Sequence, residues 1–279
     1  MQQPLARKRH WTLSDIPWQD FDPAKVDSEI LKVVKAAAMV EHNGGDYGIY
    51  LCNIFQDDPE FQTVARGWAQ EEVQHGQALA QWAERADPGF NFKASFKRFT
   101  DGYKIPLDAK TSVRGSRAGE LVARCIVETG TSSYYTALME AADEPVLKEI
   151  CRNIAADEHR HYKLFYDHLR RYLKSEKMGR LRRLAVAISR MRESEDDELS
   201  YAYFAATAPE GAVYDRKRAA SAYIRRAYSF YRPRHVERGV AMALKAAGLK
   251  TNGWLHAWLS RLGYGFLASR SRRLAAANA

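Results

Sequence analysis

Two stretches place a glutamate three residues before a histidine: "EVQH" ends at His75 and "EHRH" ends at His161. On a helix this spacing puts a carboxylate and an imidazole on one face, one turn apart, where both can grip the same metal ion. The motif is weak alone, since 18 glutamates and 8 histidines in 279 residues give about 0.5 matches by chance. Its context is stronger. A further glutamate stands 31 residues before Glu72 (Glu41) and 30 before Glu158 (Glu128). Four ionised carboxylates in a dry core would each cost several kcal/mol, at roughly the level known for buried ions, unless something positive sat among them. Two divalent cations balance four carboxylates, and two neutral imidazoles complete the coordination without changing the sum. Carboxylate and imidazole ligands without thiolate suit iron or manganese better than structural zinc or an all-oxygen calcium site.

Helices must carry these residues, and the apolar pattern supplies four. The first is expected over residues 26–55, with a stripe through Val34, Ala38, Glu41, Gly45, Gly48 and Cys52. The second follows "DDP" and runs over 59–86, through Phe61, Ala65, Trp68, Glu72, His75 and Leu79. The third covers 117–142, through Leu121, Cys125, Glu128, Ser132, Tyr135 and Met139. The fourth follows "DEP" and runs over 145–174, through Cys151, Ile154, Glu158, His161, Phe165 and His168. Steps of three and four residues define one face of a helix. Acid-Pro pairs read as N-caps with proline at the first helical position. Glu72 lies 13 residues after Pro59, and Glu158 lies 13 after Pro145. Thus the two hairpins look like copies, joined by a crossover of some thirty residues, one of the known four-helix-bundle layouts. The expected fold is all-α: a ferritin-like four-helix bundle at 26–174, an N-terminal extension at 1–25, and a basic helical region at 175–279.

The residues Glu41, "EEVQH" (71–75), Glu128 and "DEHRH" (157–161) resemble the ferritin-like di-iron carboxylate superfamily, nearest the soluble acyl-carrier-protein desaturase and di-iron oxygenase branch. The resemblance spans about residues 26–174. It implies Glu41, Glu72, His75, Glu128, Glu158 and His161 as metal ligands, with Asp157, Arg160 and Glu71 orienting them from outside. In the first motif Glu71 and Gln74 stand where that branch shows an acid and an arginine, which weakens the desaturase assignment more than the di-iron one. Two iron ions are implied, with manganese as the substitute, O₂ as co-substrate, and an external ferredoxin or flavoprotein as electron donor. The implied activity is an O₂-dependent oxidoreductase acting on an acyl or other lipid-like, free or carrier-bound substrate. The alternative is a ferroxidase or peroxide-scavenging protein of rubrerythrin or bacterioferritin type, against which stands the lack of any C-x-x-C pair. Gly44, Gly45 and Gly48 either leave room beside Glu41 or let helices pack closely. Trp68 and Tyr135 read as core aromatics before redox relays, His168 as a hydrogen-bonded core or rim residue, and His42 and His159 as surface residues.

Charge divides the chain. Residues 170–279 hold 23 Lys and Arg against 9 Asp and Glu, leaving 20 against 25 before them. "GRLRRLAVAISRMR" reads as a basic amphipathic helix, "EDDE" (195–198) as a solvated acidic turn, and "GWLHAWLSRLGYGF" as a Trp-rich helix. Such a tail suits an anionic membrane surface, an acidic carrier or a homodimer contact; no recognised motif supports nucleic acid. No apolar run behind the basic N-terminus reads as a signal or membrane span, so the expected location is cytoplasmic, with a membrane-peripheral alternative. Cys52, Cys125 and Cys151 read as small buried residues.

Overall fold

The structure is a computed structural model that describes residues 10–193 and 197–276. Among these residues there is no strand. Eleven α-helices follow in order: α1 Ser28–His42, α2 Gly44–Ile54, α3 Pro59–Ala86, α4 Phe92–Gly102, α5 Arg117–Ala141 and α6 Pro145–Glu176, then α7 Arg180–Glu193, α8 Asp197–Thr207, α9 Arg216–Ser229, α10 Pro233–Ala247 and α11 Trp254–Ala276. The fold is an all-helical bundle. At its centre α1 and α2 pair with α3, α5 pairs with α6, and α3 meets α6.

The acid-Pro starts act as expected. Asp58 accepts the Phe61 amide at 3.1 Å ahead of Pro59, and Glu144 accepts the Leu147 amide at 2.7 Å ahead of Pro145. Each cap also reaches the far end of the other long helix. Asp58 pairs with Arg171 and accepts the Tyr172 hydroxyl, while Glu144 accepts the Trp82 indole N–H at 2.7 Å. The caps therefore satisfy the first amides of each helix and fix α3 and α6 antiparallel at both ends.

One expected helix is two. The run over 26–55 breaks at Asn43, between α1 and α2, two residues after the chain presents Glu41. Close approach explains the break. A Cβ at Gly44 would lie 2.3 Å from Glu72 Cβ, one at Gly48 would lie 2.5 Å from Ala69 Cβ, and one at Gly76 would lie 2.5 Å from the His42 backbone N. Gly44, Gly48 and Gly76 thus let α1–α2 lie directly against α3, and the kink falls where kinks fall, at adjacent glycines. Room beside Glu41 is not what Gly44 and Gly48 provide, because α3 fills it.

Other expectations are corrected at the periphery. The crossover contains α4, whose Phe92 and Phe96 hold the half-buried His42 ring edge-on, so His42 is not a surface residue. His159 is half-buried too, and burial together with the Arg238 charge pushes its imidazole below the usual range. Of the "EDDE" stretch, Glu195 and Asp196 lie outside the described residues, and Glu198 is not solvated. It is buried at the start of α8, accepting from Asn43 Nδ2 at 3.2 Å and from the Tyr47 hydroxyl at 3.0 Å. The chain beyond residue 174 enters the core elsewhere as well: Ala202, Tyr203, Tyr223 and Ile224 share one apolar cluster with α1, α3, α5 and α6.

Candidate metal centre

The antiparallel register set by the glycines brings Glu41, at the end of α1, against Glu72 and His75 on α3. The α5–α6 pair brings Glu128 against Glu158 and His161. All six side chains are buried, His75 and Glu158 completely. Their ligand atoms form two groups: Glu41, Glu72, His75 and Glu158 in one, Glu72, Glu128, Glu158 and His161 in the other, each with atoms within 4.8 Å of one another. Glu72 and Glu158 belong to both. The arrangement is therefore two adjacent cation positions sharing two carboxylates, with Glu41 and Glu128 at the outer ends.

Both imidazoles turn Nδ1 inward. His75 Nδ1 lies 3.3 Å from Glu158 Oε1 and 3.5 Å from Glu41 Oε2, and His161 Nδ1 lies 2.9 Å from Glu72 Oε1. Their Nε2 atoms face outward onto carboxylates of the opposite helix: His75 to Asp157 at 3.0 Å, His161 to Glu71 at 2.7 Å. An Nε2–H donor in each ring leaves Nδ1 as the metal-facing lone pair, which the hydrogen-bond network assigns. Arg160 spans both outer acids, at 2.6 Å from Asp157 and 3.4 Å from Glu71. One guanidinium thus steadies both orienting carboxylates.

The electrostatics are those of a site with excess negative charge. Burial, then the neighbouring Glu158 and Glu41 charges, raise the Glu72 carboxyl well above the usual range; burial, Glu158 and Glu72 do the same to Glu128. Burial opposes charge on His75 and His161, but hydrogen bonds to the surrounding carboxylates outweigh it and hold both imidazoles well above their ordinary value. Burial also opposes ionisation of Glu71, yet His161 and Arg160 bring its carboxyl down to about 2. The chain also leaves buried atoms of the centre without a hydrogen-bond partner, among them Glu41 Oε2, both oxygens of Glu128, His75 Nδ1 and His161 Nδ1. Orphaned buried acceptors converging on two points fit a pair of divalent ions, and the mixed oxygen and imidazole donors suit iron or manganese.

Several contacts escaped sequence reasoning. Trp11, far from any periodic segment, donates its indole N–H to Asp157 at 2.7 Å and stacks on His75 with ring planes 2° apart. Gln74, the departure noted in the first motif, donates to the Trp11 carbonyl at 3.0 Å and so holds that segment in place. Thr131 donates to Glu158 Oε2 at 2.6 Å, and Tyr135 is more than a core aromatic, because its hydroxyl donates to Glu41 Oε1 at 2.6 Å. Arg124, buried one turn before Glu128, pairs with buried Glu120 at 3.6 Å. Trp68 packs edge-on to Phe165 as a core residue, and half-buried His168 accepts from Arg171 at 3.1 Å. The "DEHRH" motif points to Asp157, but nothing local in the sequence pairs it with Trp11.

The core of this helical bundle gathers four glutamates and two histidines into two overlapping sets that could hold metal. Residues 53–226 match the sequence model described as fatty acid desaturase, more than half the chain, and the chain belongs to that family. Membership makes it an oxidoreductase. The matched segment contains Glu72, His75, Glu128, Glu158 and His161 and begins after Glu41, which the geometry places with them. No curated protein matches the chain.

Proposed function

We propose that this chain is a di-iron, O₂-dependent desaturase of an acyl or similar lipid-like substrate, within the ferritin-like superfamily, with Glu41, Glu72, His75, Glu128, Glu158 and His161 as ligands. The two ligand groups that share Glu72 and Glu158 carry this reading, together with the family match. In desaturation a –CH₂–CH₂– unit becomes –CH=CH–, and O₂ accepts the two hydrogens together with two protons and two external electrons, leaving as two waters. Bound iron supplies the activation of O₂ and the abstraction of hydrogen from an unactivated C–H bond. The chain's own residues do the rest. Asp157 and Glu71 hold the histidine tautomers, Tyr135 and Thr131 hold Glu41 and Glu158 by their hydroxyl donors, and the apolar walls of α1, α3, α5 and α6 exclude water from the carboxylates. No redox cysteine pair occurs in the sequence, so the electrons come from a separate ferredoxin or flavoprotein in this reading.

Purified protein is expected to hold about two irons per chain, and Glu158→Ala with His161→Ala to abolish them, because each change removes a ligand for which no other residue substitutes. Reduced, iron-loaded protein given O₂ and acyl substrates should yield products lighter by two hydrogens. Metal content near zero, or a growing ferric core without product, would overturn the proposal.

A further inference from the structure

The last helix carries a surface that the bundle does not use. On α11, Trp254 is 79% exposed, Trp258 54%, Leu262 51% and Phe266 53%. These residues are spaced by four, so they form one continuous strip about 18 Å long, turning gradually round the helix. The opposite side of α11 is apolar too. Gly263 lies against Val236 of α10, and Ser271 donates to the Arg225 carbonyl of α9 at 2.9 Å, with Leu255, Leu259 and Leu267 partly covered between. A helix apolar on both sides is normally enclosed, yet here one side faces out.

Charge says what covers it. No aspartate or glutamate follows Glu237 in the sequence. Exposed Arg261, Arg272 and Arg273 border the strip on the same outward side. We propose that the outward face of α11 is an interfacial helix that docks this protein on an anionic lipid surface, with Trp254, Trp258, Leu262 and Phe266 entering the headgroup boundary and the arginines meeting lipid phosphates. Indole rings favour that boundary, and arginine stems lie along apolar surface while their heads reach the polar layer. No described helix is long and apolar enough to cross a membrane, which fits a helix that lies on one. A second copy is the poorer occupant, because a symmetric contact would lay this arginine-bordered face on itself without an acid to offset it. An acidic protein would meet a centre of four large apolar side chains rather than charge. The inference rests on α11 alone and stands whether or not the chain desaturates anything.

The test is co-sedimentation of the full chain with vesicles of phosphatidylcholine, with and without phosphatidylglycerol. Partitioning is expected to favour anionic vesicles by about 100-fold at low salt and to weaken as salt rises. Trp254→Ala with Trp258→Ala should reduce it by about tenfold on both vesicle types, through lost apolar burial. Arg261→Gln with Arg272→Gln and Arg273→Gln should remove the anionic preference, roughly fivefold for each arginine. These side chains are exposed, so melting temperature and metal content should stay at parental values, which separates this surface from the metal centre. Equal binding of the tryptophan variant and the parent, or no preference for anionic vesicles, would overturn the proposal. So would a dimer in solution that the tryptophan substitutions dissociate while vesicle binding is nil.

Discussion

His75 and His161 each sit between an inward cluster of carboxylates and one outward acid, but the two acids are not equally placed. Asp157 is buried and takes hydrogen bonds from His75, Trp11 and Arg160, whereas Glu71 is partly open to solvent and bonds to Arg160 only at 3.4 Å. Asp157→Asn should therefore weaken metal binding by about 10- to 100-fold, the usual cost of losing a partner that orients a ligand histidine. Glu71→Gln should cost less, because water can replace a partly exposed acceptor. Competition titrations with a chelator measure both, and equal losses would mean that burial does not set the strength of this support. The six clustered side chains were legible in sequence through their repeated spacing. Trp11 was not, because its contact spans 146 positions and comes from a segment without periodicity.

At the level of helices, Gly76 and Gly67 share α3 and should respond oppositely to alanine. A Cβ on Gly76 meets the backbone of His42, which cannot rotate away, and would push α1 from α3 at the height of Glu41 and His75. Gly76→Ala is expected to destabilise by about 1–3 kcal/mol through overpacking and to lower metal affinity. Gly67 is exposed, with nothing within 4 Å of the added carbon, so Gly67→Ala should stabilise by roughly 0.5–1 kcal/mol through lower chain entropy. Denaturant melts with and without metal check both. Three of the four central helices could be read to within two residues, because caps, prolines and apolar stripes agree. The first could not. Its apolar stripe continues straight through residue 43, and what breaks it is α3, whose Glu72 and Ala69 side chains approach Gly44 and Gly48 closely. The same limit hid Glu198: acidic neighbours suggested solvent, and only the tertiary packing of α8 on α1 brings it to Asn43 and Tyr47 as donors.

Across the whole molecule the second helices of the two hairpins repeat with a constant offset. Asp58 and Glu144, Pro59 and Pro145, Glu71 and Asp157, Glu72 and Glu158, and His75 and His161 are each 86 positions apart. The repeated caps clamp α3 to α6 at both ends, so the ionisation of Asp58 bears on global stability. Burial opposes charge on Asp58, but its bonds from Tyr172, the Phe61 amide and Arg171 outweigh burial and hold its carboxyl below the ordinary value of 3.8. A depressed carboxyl contributes stability that is full above the unfolded value and is lost as pH falls through the folded one. Asp58→Asn should cost roughly 1–3 kcal/mol at neutral pH, since several donors lose a charged acceptor. The gap between variant and parent should close as pH falls below the ordinary 3.8 and the parent carboxyl is protonated. Melting curves across that range test it; a gap that persists in strong acid would assign the effect to shape rather than charge.

The match between halves fails at one edge of the centre. An indole walls off Asp157 and His75, while the equivalent flank beside Glu71 and His161 shows Arg160 and exposed His10 to solvent. Two berths built from the same template therefore differ in shelter: a visitor from bulk water finds one door panelled and the other ajar.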